Sequence, residues 1–162
     1  MTRRRILIKI SDAHVSDDPA DVLATYSLGS CIGVCLYDPA LHVGGMLHYQ
    51  LPAAAMDPGR ARDQPCMFAD TGMAVLLQEL LSRGADKGRM WVRLAGGANM
   101  ATGPRGFDIG TRNYVAIRRI LWNNSMLISA EDVGGTCARN LYMDMADGTV
   151  VVRSNGLEKR LC

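Results

Sequence analysis

The chain has 162 residues, 48% of them apolar and 21% charged, with a formal net charge of +2. That length suits one domain, 1–162, with a core of its own. No apolar run approaches the roughly 20 residues that a membrane-spanning helix needs. A mildly basic chain with 6% aromatic residues offers no platform for stacking nucleic-acid bases.

The N-terminal Arg3-Arg4-Arg5 cluster reads as a solvated terminus, and Ile6 to Ile10 as a first strand. That run is too short for the apolar centre of a signal peptide, so a cytoplasmic protein is expected. Val22 to Ser27 and Ile32 to Tyr37 are rich in β-formers, with Gly29-Ser30 between them and Asp38-Pro39 closing the second. Val43 to Leu51 is a further apolar run. Ala53 to Pro65, with Pro58-Gly59 and several charges, is the clearest loop, long enough to cover or shape a site.

A helix follows, with Asp70 as its N-cap. Met73, Leu76, Leu77, Leu80 and Leu81 recur at helical spacing, and Gly84 supplies the stop. Met90 to Leu94 reads as a strand and Gly110 to Asn123 as a second helix, with Val115, Ile117, Ile120 and Leu121 as its apolar positions. Strands are expected near Leu127 to Ala130, Asn140 to Asp144 and Thr149 to Arg153, with a hairpin turn at Asp147-Gly148. Eight or nine strands and two main helices, without strict βαβ alternation, predict an α+β fold of layered mixed β-sheets with helices packed outside.

Five cysteines stand at 31, 35, 66, 137 and 162. Their odd number and irregular spacing argue against a disulfide framework, and with three histidines a zinc site is not expected. Cys31 differs from the others in following a Gly-Ser turn and leading directly into an apolar strand. Such a turn can expose a sulfur and offer backbone N–H groups to an oxyanion. The competing reading is a small buried hydrophobe, the commonest fate of a free cysteine. Cys35 shares a strand face with Gly33 and Tyr37 and reads as packing.

A nucleophilic thiol needs a base. His14 and His42 stand in exposed surroundings, while His48 sits in an apolar strand on the face of Met46 and Gln50, where it reads equally as a core histidine. A third group usually orients the imidazole. Thr25, Ser27, Ser30, Asp21, Asp38 and Asp132 all remain open on spacing alone. Gly96-Gly97-Ala98-Asn99 lacks the lysine and spacing of a phosphate loop, and tight backbone packing beside the site is expected of it.

Five ordered blocks resemble the CheD chemoreceptor deamidases: Leu28-Gly29-Ser30-Cys31-Ile32-Gly33-Val34, Gly44-Gly45-Met46-Leu47-His48, Gly96-Gly97-Ala98-Asn99-Met100, Ile109-Gly110-Thr111-Arg112-Asn113 and Ala130-Glu131-Asp132-Val133-Gly134-Gly135. The resemblance covers about residues 20 to 153. It implies a fold related to deamidating bacterial toxins and a chemotaxis enzyme that converts chemoreceptor glutamines to glutamate, some members also hydrolysing glutamyl methyl esters. It places the nucleophile on Cys31, the base on His48 and the orienting hydroxyl on Thr25.

Ser30 and Ser27 are then assigned to oxyanion and substrate binding. No metal or organic cofactor is expected. The expected partners are a chemoreceptor cytoplasmic region and the phosphatase CheC, with no nucleic acid and no membrane insertion. A regulatory module that docks on CheC or receptors, with chemistry secondary, is the alternative; a papain-like thiol hydrolase is a third reading.

Overall fold

The computed structural model describes residues 2–99 and 108–162. Its elements run β1 Arg4–Leu7, β2 Asp12–Ser16, β3 Asp21–Leu28, β4 Ile32–Asp38, β5 Val43–Tyr49, α1 Pro58–Asp63, α2 Ala69–Ser82, β6 Trp91–Gly96, α3 Ile109–Asn123, β7 Ala130–Val133, β8 Arg139–Asp144, β9 Val150–Ser154 and β10 Leu157–Leu161. Two five-stranded sheets result, ordered β1-β3-β8-β9-β10 and β2-β5-β4-β6-β7. Both are mixed: β1 pairs β3 in parallel and β6 pairs β7 in parallel, and the other pairs are antiparallel.

Strand alternation dictates the layering. Along β4, Ile32, Val34 and Leu36 face the helices, where they join Leu76, Leu80, Ile117 and Leu121 in one core. Cys35 and Tyr37 face the other way, toward Leu23, Leu141, Met143 and Val152 of the first sheet. Every residue of β4 and β5 is buried, as expected of the middle layer of three. The result is sheet on sheet with α2 and α3 outside, the α+β layered arrangement read from the sequence.

Helix α2 follows its apolar stripe: Met73, Leu76, Leu77 and Leu80 are buried, each side chain contributing about 2 kcal/mol. Gly84 at φ +91° ends it, with Ala85 N–H donating to the Leu80 carbonyl. The expected N-cap differs. The helix starts at Ala69 behind Phe68, and Asp70 lies in the first turn, where its carboxylate accepts the Ala54 N–H across the preceding segment.

Four further expectations need correction. Ile6 to Ile10 is not one strand, because Ser11 at φ 60° turns the chain from β1 in the first sheet into β2 in the second. The strand expected near Leu127 to Ala130 begins at Ala130, where parallel pairing with Arg93 of β6 sets the register. Val115 of α3 points outward, 49% exposed. The stretch from Ala53 to Pro65 is not an open loop: it carries a 3-10 turn at Ala54–Met56 and then α1, whose N-cap Asp57 accepts the Arg60 N–H.

Candidate active site

The site forms where β3 of one sheet meets β4 and β5 of the other. His48 lies opposite Gly33 in the β4–β5 ladder. Its face is the one that looks across to the first sheet. Cys31 comes two residues before Gly33 and packs against that same inter-sheet core. Cys31 thus stands just beyond the end of the ladder, in the inter-sheet space that the His48 face looks into. Gly33 leaves the slot between them free of a side chain of its own. A methyl there would meet Leu141 Cδ2 at 2.6 Å.

Thr25 of β3 reaches His48 from the opposite sheet, with Oγ1 2.7 Å from Nδ1. The same hydroxyl donates to the Ile8 carbonyl at 2.7 Å. A carbonyl can only accept, so the hydroxyl proton is committed to Ile8 and its oxygen must accept from Nδ1–H. The proton on Nδ1 leaves a lone pair on Nε2. That Nε2 atom is buried and has no hydrogen-bond partner among the described residues. A buried acceptor without a protein partner is unusual for a merely structural histidine, which ordinarily satisfies both ring nitrogens.

Burial moves both members of the pair toward their neutral forms. The His48 imidazole is pushed down to about 4 by loss of water. The Cys31 thiol is pushed up to about 11 by the same cause, with its own backbone N–H pulling the other way. Both groups are thus neutral at rest, which suits a base that takes the proton as sulfur attacks.

Backbone hydrogen bonds hold the turn before β4. The Gly29 carbonyl accepts Ala98 N–H at 2.9 Å, and the Cys31 carbonyl accepts Gly97 N–H at 2.9 Å. Between them, the Ser30 carbonyl accepts Asn113 Nδ2 at 2.9 Å. Three successive carbonyls thus point into the protein. Among the described residues, neither Ser30 N–H nor Cys31 N–H donates to a protein acceptor. Two free donors beside a thiol are the raw material of an oxyanion hole.

Gly96 makes this closeness possible. At φ +113° it lies so near Cys31 that any Cβ would overlap the Cys31 carbonyl oxygen. Arg139, itself buried, secures the far side through Nη1 to the Gly96 carbonyl at 3.2 Å and Nη2 to Gly134 at 2.8 Å and Asp132 at 3.2 Å. The Gly96 block therefore packs tightly beside the site, as its sequence suggested; Met100 at its end lies outside the described residues.

Of the residues singled out from sequence, Thr25 and His48 are hydrogen-bonded, Cys31 shares their inter-sheet space, and Ser30 borders it. Ser27 stands apart: it is exposed at a bulge of β3, at φ 58°, with its N–H held by Asn140 Oδ1. Asn113 was not singled out. Its signal is a polar residue four and eight positions before Ile117 and Leu121, on the buried stripe of α3. Cys35 and Cys66 are buried, and among the described residues no cluster of His, Cys, Asp or Glu could hold a metal ion.

Comparison with known proteins shows the family. The profile described as CheD chemotactic sensory transduction matches residues 50–154. A probable chemoreceptor glutamine deamidase CheD from Solibacter usitatus is 45% identical over 97% of this chain and 93% of its own. Probable chemoreceptor glutamine deamidase CheD 1 of Syntrophus aciditrophicus is 43% identical, covering 93% and 94%. The chemoreceptor glutamine deamidase CheD of Thermotoga maritima is 37% identical, covering 93% and 92%. The profile match begins after His48, but the first of these alignments leaves out too few residues to miss Thr25, Cys31 and His48.

Proposed function

The chain belongs to the CheD family, and from that premise we propose that it hydrolyses the side-chain amide of glutamines on chemoreceptors to glutamate and ammonia. The observation that carries the chemistry is His48 Nε2, buried and unpartnered on the face shared with Cys31, while Thr25 commits the proton to Nδ1.

The reaction runs in two halves. Cys31 Sγ attacks the glutamine amide carbon as His48 Nε2 takes the thiol proton. Ser30 and Cys31 N–H groups hold the oxyanion, each such donor contributing on the order of 10²-fold in rate. His48 returns the proton to the amide nitrogen, the C–N bond breaks, and ammonia leaves a thioester. His48 then takes a proton from water, which attacks the thioester; the C–S bond breaks, the proton goes to sulfur, and glutamate is released. A glutamyl methyl ester enters the same sequence with methanol as the leaving group. Ser27, exposed at the β3 bulge, is assigned to substrate contact.

The substrate is the cytoplasmic region of the receptor, which places the enzyme in the cytoplasm; among the described residues no helix is long and apolar enough to cross a membrane. A second reading, a module that docks on CheC, has one observation in its favour. Trp122 and Leu127, each 78% exposed, stand together at the end of α3. If Cys31→Ala protein binds CheC and restores chemotaxis, binding outranks chemistry.

The direct test is ammonia release from a receptor cytoplasmic fragment, with mass spectrometry of the fragment. Wild type adds about 1 Da at a glutamine, and Cys31→Ala and His48→Ala do not. Full activity in a folded Cys31→Ala protein ends the proposal, and cleavage fragments in place of the mass shift make the enzyme a protease.

A further inference from the structure

Asn113 is fully buried on the face of α3 that also carries Ile117 and Leu121. Its Nδ2 donates to two backbone carbonyls, Ser30 at 2.9 Å and Gln50 at 2.8 Å. Both partners only accept, so the amide orientation is fixed: turned over, Oδ1 would face two carbonyl oxygens. Oδ1 itself is buried without a partner among the described residues, so the fold keeps this residue for its NH2 end. The Asn113 carbonyl is tied in turn to β5, accepting the Tyr49 hydroxyl at 2.6 Å.

The two carbonyls flank the catalytic pair. Ser30 immediately precedes Cys31, and Gln50 follows His48 by two residues. The β4–β5 ladder ends with Ile32 opposite Tyr49, so Cys31 and Gln50, the next pair in line, are not laddered. A planar amide with its two N–H bonds near 120° holds the accepting oxygens about 5 Å apart at these lengths. That is close to the roughly 4.8 Å between laddered strands. Asn113 therefore bridges the chains where the ladder stops and the thiol turns toward the site.

We infer that Asn113 is a positioning residue, holding the start of β4 and the end of β5 at the spacing from which Cys31 Sγ can close on His48 Nε2. This rests on the reading of Cys31 and His48 as nucleophile and base, but its test does not require the receptor. In a Cys137→Ser background, iodoacetamide labelling of Cys31 is followed by peptide mass spectrometry from about pH 5 to 9.

A thiol served by a neighbouring base reacts at a rate that levels across neutral pH; one without a base gains about tenfold per pH unit. Wild type shows the level region and His48→Ala loses it. Asn113→Ala loses it as well, its rate at neutral pH falling at least about tenfold, and on a receptor fragment kcat falls by a similar factor with KM unchanged. A purely structural asparagine would change exposure or melting temperature and rescale the curve without changing its shape.

A folded Asn113→Ala protein that keeps the level region overturns the inference. Should that variant fail to fold, Tyr49→Phe, which removes only the hydroxyl holding the Asn113 carbonyl, gives the same reading: partial loss supports the role and an unchanged profile overturns it. A wild-type profile already like His48→Ala overturns the pair, and the role of Asn113 with it. Normal labelling profiles without receptor deamidation would instead sink the proposed substrate while leaving Asn113 in place.

Discussion

Thr25 Oγ1 accepts a hydrogen bond from His48 Nδ1 at 2.7 Å across the gap between the two sheets. Because the Thr25 proton is spent on Ile8, the contact selects one imidazole tautomer and aims its lone pair away from Thr25. The role of Thr25 is thus electronic as well as spatial.

Thr25→Val, matched in shape, removes that selection and leaves the Ile8 carbonyl without its donor. The expected result is a fall in kcat on the order of 10²-fold or more, with Thr25→Ser within about fivefold of wild type. Ammonia release from a receptor fragment at saturating substrate measures both. Equal activity in Thr25→Val would show that packing alone orients the ring.

Acid stability follows from His48. Its folded value, about 4, lies below the ordinary value of 6.5. Between those limits the unfolded chain binds a proton that the folded chain refuses, so stability falls as pH drops from about 6.5 to 4 and is unaffected by this group at higher pH. The loss from this one group approaches about 3 kcal/mol at the bottom of the window. Denaturant titrations at stepped pH, comparing wild type with His48→Gln, should give a shallower decline in the variant.

Gly96→Ala is expected to be among the most damaging single-methyl additions. The new carbon overlaps the Cys31 carbonyl, and φ +113° is unfavourable for any side chain. Neither neighbour can give way, because Gly97 N–H bonds that carbonyl. A loss of at least about 3 kcal/mol in chemical denaturation is the expected outcome.

The most easily alkylated of the Cys31, Cys35, Cys66 and Cys137 thiols is expected to be Cys137, not the proposed nucleophile. Cys137 is exposed, and hydrogen bonds from Asn155 and Thr136 hold its thiol below the ordinary range. Burial raises the thiols of Cys31, Cys35 and Cys66. Brief treatment with dilute iodoacetamide near pH 8 should label Cys137 first and leave deamidation largely intact. Parallel labelling and loss of activity would contradict this order.

The middle layer was the most legible part of the sequence, because the unbroken run of β-formers from Ile32 to Tyr37 and the helical stripe of Met73 to Leu80 both report burial directly. Gly84 and Asp147-Gly148 marked the α2 stop and the β8–β9 hairpin for similar local reasons. What could not be read were the pairings that join distant segments. Nothing around residue 11 announces that the chain changes sheets there; a serine adopts φ 60° because the strands on either side are already paired. Thr25 was one of six candidates to orient His48 until the sheets were stacked. Asn113 was visible as a polar residue on an apolar stripe, but its partners are 83 and 63 residues away.

The division of the site between two sheets has a consequence for the chain before it is finished. His48 and the strand that Cys31 leads into arrive together in one antiparallel hairpin, β4–β5, whose strands are close in sequence. The hydroxyl that fixes the base comes from the other sheet, whose strand β3 pairs with β8, more than 110 residues away. An incompletely assembled chain therefore carries its thiol beside an imidazole with no fixed tautomer. The tautomer that the proposed chemistry needs is therefore fixed only when the sandwich closes, so deamidation is expected of the assembled fold alone.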